Sequence, residues 1–252
     1  MKNFIKRILQ RMLGFENYLF YFSIFIIGTL KKNRREGDFM HFLSLIPAKG
    51  VILDIGANIG AMTVHLARRF PASEIYAFEP VPYNLNTLKR IIKHYRLRNV
   101  IIKETALGDF NGTVQMVVPT LGKAKQHGLS HVVDASITSF NEGETVSSPI
   151  TRLDDIAILN HPEICIAAIK LDVENFEYRV LKGGEGLIAK HKPIIYCELW
   201  ENENREQCLS LMQSLGYNVY ILEKKKLVIF NPQSHATQNF FFICKTSEVK
   251  LS

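Results

Sequence analysis

The sequence predicts an α/β protein built on a mostly parallel sheet with helices on both faces. Three observations carry that expectation. From residue 51 onward, short apolar runs alternate with stretches of helical periodicity. The first run ends in a glycine-hinged turn, Asp54-Ile-Gly56-Ala-Asn58-Ile-Gly60, of the kind that lets backbone approach a ligand. The second ends on an acid, Phe78-Glu79-Pro80, where such sheets hold a ribose.

In chain order, residues 51–55 read as a buried strand and 61–70 as a helix closed by Pro71. Residues 74–78 form a second strand, and 84–95 a helix with Leu85, Leu88, Ile91 and Ile92 on one face. Residues 100–104 form a third strand. After Asp109-Phe-Asn-Gly112 the rhythm breaks, with an alternating strand over 113–119 and a Gly-, Ser- and Thr-rich loop over 120–149. The rhythm resumes with a strand over 164–172, one helix over 176–190, a strand over 193–198 and a helix over 205–215 that stops at Gly216. Three closing strands follow at 217–222, 227–230 and 240–244, with Lys224-Lys-Lys226 at a hairpin tip.

The formal charge of +7 belongs to the N-terminus. Residues 1–35 hold eight cations and one acid, and the remainder carries equal numbers of each. A nucleic-acid partner would want its cations on the folded body, so none is expected. The four cysteines include no CxxC, which fits a reducing, cytoplasmic compartment. Between the basic clusters, residues 18–30 form an uncharged apolar run, shorter than the roughly 20 residues a spanning helix needs. Such a run suits a helix packed on the main domain. With its basic flanks it also suits peripheral contact with the inner membrane face, through residues 1–35. The expected organisation is therefore a basic, aromatic helical segment over 1–49 and one domain over 50–252 with an insertion near 113–150.

Asn58 replaces the middle glycine of a dinucleotide fingerprint, and Asp54 adds a carboxylate before the turn. Both features favour a cationic ligand over a diphosphate. Glu79 can accept both ribose hydroxyls. Further carboxylates, Asp172, Glu174, Glu177 and Glu198, fall at the ends of later strands, where ligands of open sheets bind. Glu177 reads more simply as a helix N-terminal acid. A divalent cation on Asp172 and Glu198 is chemically allowed but not indicated by the spacing. His127 and His131 read as loop residues rather than metal ligands, His65 as structural and Cys197 as core.

The glycine turn, Phe78-Glu-Pro80, Ala106-Leu-Gly-Asp109 with Gly112, Ile169-Lys-Leu-Asp-Val-Glu174 with Phe176-Glu177, and Pro193-Ile-Ile-Tyr-Cys-Glu198 occur in order. Together they resemble the FkbM family of class I S-adenosylmethionine-dependent methyltransferases. The resemblance implies a Rossmann-like, seven-stranded, mostly parallel sheet with the last strand antiparallel, S-adenosylmethionine as cofactor, and methylation of a hydroxyl. The acceptor it implies is a sugar, glycan or glycolipid, with a natural product as the alternative. Carried over by position, Asp54, Gly56, Asn58 and Gly60 line the methionine part of the cofactor, Glu79 holds the ribose and Glu104 meets the adenine amine. Asp172 is the expected base, with Glu198 and Glu174 beside it. Asn175 stands where the family commonly has glycine, a position that asks for a left-handed backbone. A nicotinamide oxidoreductase and a non-catalytic membrane adaptor are the competing functions.

Overall fold

The computed structural model describes residues 2–33, 36–121, 124–134, 137 and 140–247, and of residues 2–5, 121, 124 and 127 the backbone alone. Arg34 and Arg35 of the second basic cluster, and the His127 side chain, lie outside the described residues. Three helices come first: α1 (Lys2–Leu13), α2 (Phe15–Thr29) and α3 (Gly37–Leu45). The predicted alternation follows as β1 (Val51–Ile55), α4 (Ala61–Arg69), β2 (Ile75–Phe78), α5 (Pro82–Tyr95) and β3 (Val100–Lys103). Pro82 starts α5 because its fixed φ suits the first helical position and its missing N–H costs nothing there.

Next come β4 (Ala106–Gly108), β5 (Gly112–Leu121), β6 (Ala124–Lys125), β7 (His131–Val132) and β8 (Gly143–Arg152). The chain closes with β9 (Ile166–Leu171), α6 (Glu177–Lys182), α7 (Glu185–His191), β10 (Ile194–Glu198), α8 (Glu203–Ser214), β11 (Tyr217–Glu223), β12 (Lys226–Ile229) and β13 (Asn239–Cys244). Lys224 and Lys225, at φ 48° and 67°, make the predicted tight turn between β11 and β12.

The main sheet has the order β12-β11-β13-β10-β9-β1-β2-β3, with β13 antiparallel to both neighbours. It holds eight strands rather than seven, because the Lys224–Lys225 turn folds β12 back onto β11 as an extra edge strand. The expected polar loop also needs correction. Residues 143–152 are a strand, and β8 pairs antiparallel with β5 from Gly112↔Ile150 to Pro119↔Gly143 and parallel with β4. The insertion is thus a second sheet. The single helix expected over 176–190 splits at Gly183-Gly184, where a Cβ on Gly183 would overlap the Gly108 carbonyl oxygen. α6 can approach β4 that closely only through bare backbone.

Strand alternation sends Val51, Leu53 and Ile55 to one face of the main sheet and Ile52 and Asp54 to the other. The first face packs against α6, α7, α8 and the second sheet. The other packs against α3, α4 and α5, with Phe39 and Phe42 of α3 against Tyr196 and Phe241. α2 lies outside α4 and α5, and its buried Ser23 donates to the Ile59 carbonyl at 2.8 Å. The helix of the apolar run is therefore pinned to the glycine turn.

Candidate active site

A narrow cleft opens at the carboxyl ends of β1, β2 and β9, with about 590 Å³ of free space including its mouth. Ile55, Gly56 and Asn58 form its floor, Phe78, Glu79 and Val81 one wall, and Asp172, Val173 and Glu174 the opposite end. Met116 and Val132 of the second sheet, with Ser130 just before β7, close it from the side.

The turn after β1 is built for close approach. Gly56 has φ 77°, and a Cβ there would overlap the Asp172 carbonyl oxygen. Asn58 is itself left-handed at φ 51°, and its backbone N–H donates to Glu79 Oε2 at 2.8 Å. Glu79 Oε1 accepts from the Val81 N–H at 2.9 Å. Burial raises the Glu79 carboxyl to about 7 against these hydrogen bonds. Oε1 also accepts from the Asn84 side-chain amide at 3.3 Å, so Oε2 is the oxygen that keeps a lone pair for a ligand hydroxyl.

Two predicted contacts fall on the wrong side of the sheet. Asp54 shares the Ile52 face, is fully buried, and accepts from Thr63 Oγ1 at 2.6 Å. It stands behind the cleft and does not line it. Glu104 continues the β3 parity of Ile102, which faces α5, and pairs with Lys89 of α5 at 2.6 Å on the surface. Thr105, Ala106 and Leu107 line the cleft at that end instead. Gly60 does not line it either. At φ 83° it starts α4, and a Cβ there would press to 2.8 Å from Leu88 Cδ1.

Sequence reasoning missed the hub of the site, Lys170. It is buried, donates to the Gly56 carbonyl at 2.8 Å, and lies 3.6 Å from both Asp54 and Asp172. Burial alone would lower its pKa, yet Asp172, Asp54 and Glu198 hold it above the ordinary value. A lysine inside the apolar run of β9 was the available signal. Parity explains the meeting, since Asp54, Lys170 and Glu198 all continue one face of neighbouring strands.

Beyond β9 the chain takes two left-handed residues in succession, Glu174 at φ 58° and Asn175 at φ 73°. The loop is stapled by Glu177, whose Oε1 accepts from the Val173 and Asn175 N–H groups at 3.0 and 3.2 Å. Asn204 donates to Glu177 Oε2 at 2.7 Å, and Asn202 donates to the Asn175 side chain at 2.6 Å. Glu177 is thus more than a helix-end acid. Burial and then Asp172 raise Glu174 to about 9 and Glu198 to about 7. Burial raises Glu177 to about 7 as well.

His65 meets the Ile27 carbonyl at 3.2 Å, and His131 has both ring nitrogens engaged, by Leu129 O and Asn141 Oδ1. Burial pushes the Cys197 thiol far up, away from any nucleophilic role. No cluster among the described residues has the make-up of a metal site.

The donor set suits S-adenosylmethionine. Glu79 Oε2 has a lone pair for a hydroxyl, Phe78, Val81 and Leu107 give apolar surface for a base, and the Asp172 carboxylate offers a counter-charge to a cation.

Comparison with known proteins agrees with this geometry. The methyltransferase FkbM domain matches residues 54–222. The chain is 24% identical over 204 residues to methyltransferase sdnD of Sordaria araneosa, covering 72% of this chain and 79% of that one. It is 26% identical over 167 residues to the 31-O-demethyl-FK506 methyltransferase FkbM of Streptomyces tacrolimicus, covering 58% of this chain and 63% of that one. The crystal structure of methyltransferase FkbM from Methylobacillus flagellatus KT shares the fold at a TM-score of 0.53 and 15% identity. That match covers 96% of this chain and 59% of the longer relative. With the family match spanning most of the sheet and every wall of the cleft, the chain belongs to the FkbM family of S-adenosylmethionine-dependent methyltransferases.

Proposed function

We propose that this chain methylates a hydroxyl oxygen of a sugar, glycan or glycolipid intermediate handled at the cytoplasmic face of a membrane. The observation that supports this most is the pair Asp172 and Glu174 at the end of the cleft opposite Glu79, with Lys170 3.6 Å from Asp172, and Glu198 near Lys170 but outside the cleft lining. A sugar hydroxyl is a poor nucleophile at neutral pH, so methyl transfer needs a group to align it and take its proton.

When bound, the cofactor would supply an electrophilic sulfonium methyl, with S-adenosylhomocysteine as the leaving group. Glu79 and the turn at Gly56 and Asn58 hold the nucleoside. Asp172, fixed through Lys170, accepts the hydroxyl proton. Glu174, whose carboxyl burial and the neighbouring Asp172 raise to about 9 in the empty cleft, lines the same end and hydrogen-bonds the acceptor to orient it. Asp54 acts from behind, as the counter-charge that seats Lys170.

A second reading, a natural-product hydroxyl as acceptor, is favoured by the similarity to the 31-O-demethyl-FK506 enzyme. The test is incubation with methyl-labelled cofactor and a fractionated cell extract, beside an Asp172→Asn variant. Label in lipid-linked or polysaccharide fractions supports the first reading, and label confined to small molecules supports the second. Cofactor binding with no transfer to any fraction means a non-catalytic adaptor. No cofactor binding ends the proposal.

A further inference from the structure

Helix α1 rests on the body by its polar side. Lys6 Nζ donates to Gln126 Oε1 at 2.7 Å, and Gln10 Nε2 donates to the Lys125 carbonyl at 3.2 Å. Lys6 and Gln10 are four apart and share one side of the helix. Ile8, Leu9 and Met12 occupy the other side, 42%, 41% and 77% exposed. This inverts the usual arrangement, in which an amphipathic helix buries its apolar stripe.

α2 adds a second exposed pair. Its inner side, with Tyr18, Leu19, Ser23 and Ile27, is buried, while Tyr21 and Phe25, also four apart, stand in solvent. Cations accompany both helices. Arg7 and Arg11 are exposed on α1, and Lys31 and Lys32 follow α2. No helix among the described residues is long and apolar enough to cross a membrane.

Charge and apolarity together select the occupant. A nucleic acid would use the cations and leave the apolar arc wet, whereas a neutral protein surface would use the arc and leave the cations unmatched. A bilayer rich in anionic lipid uses both. We propose that α1 lies in the interface of such a bilayer, with Ile8, Leu9 and Met12 among the upper acyl carbons and Arg7, Arg11, Lys31 and Lys32 at phosphate level. The sequence pointed to the run at 18–30 for lipid contact. The structure packs one side of that run on the body and leaves the clearest apolar arc on α1. The inference does not depend on methyl transfer.

The test is flotation of the full chain with vesicles of phosphatidylcholine alone or mixed with phosphatidylglycerol, with folding of each variant checked by thermal melting. Binding to the mixed vesicles only, weakened by salt, is expected. Arg7→Gln with Arg11→Gln should weaken it roughly thirty-fold, and Leu9→Glu with Met12→Glu should abolish it. Failure to float with the mixed vesicles overturns the proposal, as does binding that survives the Leu9→Glu, Met12→Glu change. So does a dimer in sedimentation equilibrium that this change dissolves, since a second copy would then cover the arc.

Discussion

The Lys170 ammonium donates to the Gly56 carbonyl oxygen at 2.8 Å, so one buried cation joins the cofactor turn to the carboxylates at the ends of β9 and β10. Removing it leaves Asp54 buried without a counter-charge. Lys170→Met should cost about 3–5 kcal/mol in denaturant unfolding. Asp54→Asn added to Lys170→Met should restore most of that loss, and a double variant no more stable than the single would refute the pairing.

Gly56→Ala meets two penalties at once, a left-handed backbone and overlap with the Asp172 carbonyl. It should lose about 2–5 kcal/mol of stability. Gly14→Ala is the control, because Gly14 also has a positive φ, 72°, but has nothing within 4 Å of the added carbon. About 1–2 kcal/mol is expected there. Equal losses in the two variants would mean that the Gly56–Asp172 approach is not tight.

Glu79 and Glu104 should separate cleanly. Glu79→Ala strips the acceptor from the Asn58 and Val81 N–H groups, from the Asn84 amide and from the proposed ribose position. Calorimetric affinity for S-adenosylmethionine should drop at least tenfold, the equivalent of about one or two hydrogen bonds. Glu104→Ala breaks only a surface ion pair with Lys89, so stability should change by under about 1 kcal/mol and affinity should hold. A loss of affinity in Glu104→Ala would restore the contact predicted from sequence.

Stability should also fall as pH rises. Glu79, Glu177 and Glu198 are raised to about 7 and Glu174 to about 9, all above the ordinary carboxylate value of 4.5. Between those limits the folded chain binds more protons than the unfolded one, so this contribution is full below about pH 4.5, falls most steeply from there to about 7, and continues to fall to about 9 through Glu174 alone. Thermal melting of the ligand-free protein across pH 5–9 checks the sign. A cationic ligand in the cleft should reverse the trend by favouring the ionised carboxyls, and should release protons as it binds. Melting temperatures that rise steadily to pH 9 would contradict the burial of these groups.

What could be read in advance was what local pattern carries. The turn at residues 54–60 and the acid after β2 are set by neighbours in sequence, and both sit where spacing put them, at the mouths of β1 and β2. Glu104 and Asp54 lie outside the cleft lining because each one's side of the sheet follows strand parity, which spacing from the strand end does not convey. The second sheet hid behind composition, since the β8 residues Thr145, Ser147 and Pro149 are polar or turn-forming in type yet alternate with inward Val146, Ser148 and Ile150. Lys170 and Glu177 take their importance from partners that only the closed fold brings near.

The two left-handed residues after β9 draw their support from Glu177, Asn202 and Asn204, and the two asparagines belong to the start of α8, outside the cleft wall. Under the proposed role of Glu174 in orienting the acceptor, acceptor preference would be open to retuning from a distance. A library confined to residues 202–204 would reshape the loop's path while leaving every nucleoside contact in its original sequence, which makes that short stretch an economical place to begin directed evolution toward new alcohols.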